Sequence, residues 1–124
     1  MLKMNASLTA RASWMLTFWS CGGIILVLSL LPTASSIPDT GWDKSNHVLA
    51  FSVLTILGCR AYPSRIAVVL LGVILYGGLI EVLQSLTPHR SAEWTDLIAD
   101  AVGVLVGRAG VLVGSALLAC RRLR

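Results

Sequence analysis

The chain has 124 residues, 56% of them hydrophobic and only 13% charged, with a mean hydropathy of +0.80. A soluble domain carries roughly a quarter charged residues, so these values exclude a soluble enzyme with a membrane tail and describe a single membrane domain over residues 1–124. The net charge of +4 would suggest nucleic acid in a soluble protein. Here the basic residues collect in alternate connecting segments, and no nucleic-acid partner is expected.

In chain order, Lys3 and Arg11 precede an apolar run, Trp14–Leu31, that ends at Pro32. A membrane helix over about 13–31 is expected. The small residues of "LLPTASS" imitate a signal-peptidase site, but the apolar run exceeds a usual signal core of roughly 7–15 residues. The segment "PTASSIPDTGWDKSN" has the prolines, glycine and serines of a loop, with Trp42 suited to the headgroup level. Helix two, about 44–62, is the least apolar: it holds Ser45, Asn46, His47, Ser52 and Thr55, and Pro63 ends it. A re-entrant half-helix is the alternative there. Helix three, about 65–86, contains Ile66–Leu86, in which Glu81 is the only charge. After the turn "TPHRSAEW", helix four covers about 95–120. The expected fold is all-α, a polytopic membrane protein built as a bundle of four transmembrane helices.

Helix four carries the clearest pattern. Asp96, Asp100, Gly103, Gly107, Gly110 and Gly114 follow one another at intervals of four or three residues, which keeps them on one helical face. Glycines in such a stripe let another helix approach closely, either within the chain or in a homo-oligomer. Arg108, near the middle of this helix, has no evident role.

Arg60 and Arg65 lie between helices two and three, and Arg121, Arg122 and Arg124 close the chain, whereas the other two loops hold only Lys44 and Arg90 beside Asp39, Asp43 and Glu93. Short basic loops stay in the cytoplasm. Both termini are therefore expected inside, with loops 32–46 and 87–95 outside. The three cysteines, Cys21, Cys59 and Cys120, are an odd set suited to packing, not to a disulfide framework.

In that topology every acidic residue falls in the outer half. Asp43 and His47 are four residues apart, and Glu81 and Gln84 three apart, so each pair shares a helical face. Glu81 lies about 7–8 Å below Leu86 along its helix, and Asp100 reaches a similar depth on helix four. An isolated charge within the bilayer costs at least a few kcal/mol, so Glu81 is expected to face inward, near His47, Asp96, Asp100 or Arg90, at the floor of an outward-open pocket.

The stretches "DKSNHVLAF", "YGGLIEVLQ" and "RSAEWTDLIADAVG", in this order, resemble the VanZ-like family of small bacterial membrane proteins. The family pattern runs D-K-x-x-H-x-x-A-F, G-x-x-x-E-x-x-Q and R-x-x-x-x-x-D-x-x-A-N-x-x-G, and the match covers about residues 43–107. Asp100 departs from it, since the family usually has asparagine there. By position the motif residues are Asp43, Lys44, His47, Glu81, Gln84, Arg90, Asp96 and Asp100. The resemblance implies a bacterial plasma-membrane location and, through the family's namesake, a link to teicoplanin resistance. It supplies no reaction mechanism.

Each motif residue also has a structural reading. Asp43 suits a helix cap, and Lys44 an anchor or a partner for Asp43. His47 can pair with a carboxylate, bind a metal or titrate. Gln84 can orient Glu81 or bridge helices, and Arg90 can grip phosphate or carboxylate in a bidentate fork. Asp96 suits a helix N-terminus. Three functions remain open. The first is an envelope protein binding a lipid-linked precursor or a lipoglycopeptide. The second is a membrane-embedded hydrolase or transferase acting on a lipid phosphate, with Glu81, His47 and Asp96 as candidate catalytic groups. The third is a structural or assembly protein. No cofactor is evident: a divalent cation at His47, Glu81 and Asp96 is chemically allowed, but no ligand spacing such as H-E-x-x-H selects it.

Overall fold

In a computed structural model, residues 2–31, 42–87 and 93–123 are described, with side chains at all of these except 2–7, 42 and 43. They form four helices: α1 (Leu2–Leu30), α2 (Trp42–Ala61), α3 (Ile66–Ser85) and α4 (Trp94–Arg122). The ends of α2, α3 and α4 fall within two residues of the sequence-based positions. Helix α1 begins eleven residues before the expected position 13. The polar N-terminal stretch contains neither Pro nor Gly, so nothing halts the helix where the apolar run gives way.

Three helices, Leu8–Leu30, Ile66–Ser85 and Trp94–Arg122, are long and apolar enough to cross a membrane. Helix α2 falls short in hydropathy, not in length. Its 20 residues reach about 30 Å, the thickness of a bilayer's hydrocarbon core, and it is unbroken. The half-helix alternative is therefore not what the chain adopts.

The reason for its polarity lies in its position. Helix α2 packs against all three other helices, most extensively α4, whereas α1 and α4 do not meet among the described residues. Phe51, Ser52, Leu54, Thr55, Cys59 and Ala61 of α2 are all buried. The face of α2 that carries Ser52 and Thr55 meets protein and so need not be apolar, and its small side chains bring neighbours close, while Leu49 and Val53 stay exposed on its outer face. Leu28, Leu71, Leu75, Leu79, Leu105 and Leu117 are exposed on the other three helices, as an outer surface facing lipid requires.

Cross-helix contacts set the directions. His47 meets Asp100 and Ser52 donates to the Gly103 carbonyl, so α2 and α4 run parallel. Tyr76 donates to the Gly22 carbonyl and Gln84 to that of Ser29, so α1 and α3 also run parallel. Arg11 donates to the Ala61 carbonyl, which makes α1 antiparallel to α2.

The α2–α4 contact passes through the glycine stripe, but only through half of it. A Cβ on Gly103 would meet the Val48 carbonyl oxygen at 2.7 Å, and one on Gly107 would meet that of Ser52 at 2.5 Å. At Gly110 the nearest atom is the Ile56 side chain at 3.9 Å, and at Gly114 nothing lies within 4 Å. Ser52 and Thr55 let the helices touch, and the larger Ile56 ends the close approach. Arg108 lies within unbroken helix, with its guanidinium near the Cys59 thiol of α2. The sequence had left it without a role.

Candidate functional site

The polar residues gather where α2 and α4 begin and α3 ends. One turn into α2, His47 presents its Nδ1 to Asp100 Oδ1 at 2.8 Å and its Nε2 to Asp96 Oδ2 at 3.8 Å. Asp96 and Asp100 are four residues apart on α4, so both point from one face at the same ring. A doubly protonated imidazolium would donate toward both carboxylates. All three side chains are largely buried, Asp100 at 1% exposure and Asp96 at 7%.

Glu81 approaches from α3. It is buried, and its Oε2 accepts a hydrogen bond from the backbone N–H of Glu93 at 3.1 Å. Glu93 is the N-cap of α4, so this carboxylate also satisfies a donor that the helix start leaves open and meets the positive end of the helix dipole. Asp96, His47 and Asp100 all lie within electrostatic range of Glu81. The inward orientation expected for Glu81 is what the fold produces.

Two carboxylate oxygens, Glu81 Oε1 and Asp100 Oδ2, are buried without a hydrogen-bond partner among the described residues. Room for the second is made by α3. A Cβ on Gly77 would stand 2.6 Å from Asp100 Oδ2 and 3.1 Å from Phe51, so glycine lets the carboxylate lie against the α3 backbone. Since Gly77 precedes Glu81 by one turn, one face of α3 supplies both the space and the second acid.

The other expected site residues divide. Lys44 pairs with Glu93 at 3.7 Å, on a partly exposed rim. Gln84 does not orient Glu81: its amide donates to the Ser29 carbonyl and fastens α3 to α1. Asp43 lies in the first turn of α2, but its side chain is outside the described residues, as is Arg90 altogether. Sequence reasoning missed Glu93 and Gly77 as parts of the site. The Glu93 contribution is a backbone N–H, which no side-chain pattern reveals. Gly77 was legible only as a glycine one turn from Glu81. Among the described residues, no group of three or more His, Cys, Asp or Glu side chains is arranged to hold a metal ion.

Four helices, three of them long and apolar enough to cross a bilayer, around a buried acid–histidine cluster define a small helical membrane protein. The family model for VanZ/LLP1 matches residues 5–116, and the chain belongs to that family. The match takes in α1 as well as the motif-bearing helices. No curated protein and no solved structure matches the chain.

Proposed function

We propose that the chain is an envelope protein of the bacterial plasma membrane that binds a lipid-linked or lipidated ligand at the His47–Glu81–Asp96–Asp100 cluster, on the outer side. The supporting observation is the pair of unpartnered buried oxygens, Glu81 Oε1 and Asp100 Oδ2. A buried acceptor without a partner costs about 1–3 kcal/mol, and buried polar groups are almost always satisfied. A polar ligand group with hydroxyl or amide donors would relieve that cost at both positions. The distribution of arginines supports the outward direction: Arg11, Arg60, Arg65, Arg121 and Arg122 lie toward the opposite helix ends. The family's link to teicoplanin suggests a lipoglycopeptide or the precursor it competes for as the ligand class, by analogy alone.

One observation favours the enzyme reading as the second choice. Asp100 fixes His47 through Nδ1 at 2.8 Å, as an orienting acid holds a general base. Against it, the other ring nitrogen faces the Asp96 carboxylate at 3.8 Å, on the side from which a substrate would have to approach.

The test is Glu81→Gln in cells whose teicoplanin susceptibility depends on this chain. The variant should accumulate in the membrane as a folded protein and confer no protection. Normal protection would remove Glu81 from function, and failure to accumulate would assign it to structure. Release of a cleaved product by the wild-type chain would favour the enzyme.

A further inference from the structure

A second feature lies apart from the acid–histidine cluster, on another face and toward the opposite end. Helices α1 and α3 are fastened in one half of their length by Gln84 to Ser29 and by Tyr76 to Gly22 at 2.6 Å. Beyond Tyr76, toward the start of α3, they part and leave a cavity of about 650 Å³. This falls within the roughly 300–1,000 Å³ of ligand pockets.

The walls explain why the helices stay apart without collapsing. The floor is buried: Leu54 of α2, with Val69 and Val73 of α3. Phe18 and Val69 meet over Gly58, where a Cβ would lie 2.9 and 2.6 Å from them, so the base of the groove is tightly packed. The rims are bare. A Cβ on Gly23 or on Gly72 would meet nothing within 4 Å, so the groove opens sideways along both helices. Arg65, exposed and without a side-chain partner among the described residues, lines the end away from Tyr76. Tyr62 stands beside it, accepting from Trp19 Nε1 and leaving its own hydroxyl proton to donate.

Length and charge decide the occupant. From Arg65 to Tyr76 is eleven residues, about 16 Å along a helix. Half of a hydrocarbon core of about 30 Å is about 15 Å. The groove therefore runs from the headgroup level to the bilayer midplane, the reach of one acyl chain from one leaflet. A guanidinium at the headgroup level suits a phosphate, which it grips in a bidentate fork.

We infer that this groove holds one acyl chain of an anionic phospholipid from the leaflet at the Arg65 end, with the lipid phosphate on Arg65 and Tyr62. The site is independent of the function proposed above, because it shares no residue with the acid–histidine cluster.

The test is native mass spectrometry of the delipidated chain in detergent, offered phosphatidylglycerol or phosphatidylcholine. The wild type should retain one phosphatidylglycerol per protomer in preference to phosphatidylcholine. Arg65→Glu should lower phosphatidylglycerol retention by about tenfold and phosphatidylcholine, whose choline already offsets its phosphate, by less, so that the preference between the two is lost. Gly72→Trp, which fills open space in the groove, should abolish retention of both, whereas Leu105→Trp on exposed α4 surface should change neither. Equal retention of the two lipids by the wild type would overturn the headgroup assignment. Gly72→Trp indistinguishable from Leu105→Trp would overturn the groove itself. A wild-type dimer that Gly72→Trp dissociates would also overturn the inference, by giving the groove to a second copy of the chain.

Discussion

His47 of α2 lies 2.8 Å from Asp100 of α4 through Nδ1, and Asp100 is only 1% exposed. The pair bridges the two helices that pack most closely, just above the point where Gly103 brings their backbones together. Position 100 is where the family usually carries asparagine, and the geometry shows why either residue can serve. Oδ1 accepts from the imidazole whether it belongs to a carboxylate or an amide. Asp100→Asn should therefore leave the chain folded, with stability changed by about 1 kcal/mol or less. His47→Ala leaves a buried carboxylate without its partner and should cost about 2–3 kcal/mol. Reversible unfolding in detergent measures both. Equal losses for the two variants would contradict this reading of the pair.

Gly77 should be as sensitive as the acids themselves. An alanine there would put a methyl group 2.6 Å from Asp100 Oδ2, and Asp100 is buried too deeply to swing aside. Gly77→Ala should lower both stability and ligand binding. Gly78→Ala is the comparison, since a Cβ there meets nothing within 4 Å. Parallel thermal melts and binding assays of the two variants would check this. If both behave as wild type, α3 does not constrain the Asp100 carboxylate.

The glycine stripe on α4 divides into two halves with opposite expected outcomes. Gly107→Leu should destabilise the bundle severely, because even a Cβ would lie 2.5 Å from the Ser52 carbonyl oxygen. Gly114→Ala meets nothing and removes a poor helix former, so stability should hold or rise by up to about 1 kcal/mol. Melting temperatures in one detergent decide it. A Gly107→Leu chain as stable as the wild type would show that the α2–α4 seam is looser than it is described here.

The orientation proposed from the arginines is tested by cysteine labelling. Thr40→Cys and Ala92→Cys should react with an impermeant maleimide in intact cells. Native Cys120, exposed near the end of α4, should react only after permeabilisation. The reverse pattern would place the acid–histidine cluster on the cytoplasmic side.

Much of this site was legible in the sequence because burying charge in a bilayer is costly. Glu81 stood alone in an apolar run, which required neighbours, and the helical spacing of Asp96 and Asp100 supplied them. The unusual polarity of α2 was visible as well, but the burial of Ser52 and Thr55 against a neighbouring helix became apparent only from the fold. Backbone contributions could not be read at all. The N–H of Glu93 that meets Glu81 and the Ser29 carbonyl that takes Gln84 are carried by every residue type. Within the chain only the Gly103–Gly107 half of the glycine stripe meets α2 closely, because its period says which face is smooth and not where the opposing helix stops matching it. That limit was set on α2, by Ile56 opposite Gly110.

The central claim is that the acid–histidine cluster binds a ligand through buried oxygens that have no partner among the described residues. Its most direct test is equilibrium binding of teicoplanin to the purified, folded chain, comparing wild type with Glu81→Gln at matched thermal stability. The account predicts saturable binding by the wild type and an affinity about tenfold or more weaker for the variant, the loss of one hydrogen bond to a buried charged group. Undiminished affinity in Glu81→Gln, or no saturable binding by the wild type, would contradict it.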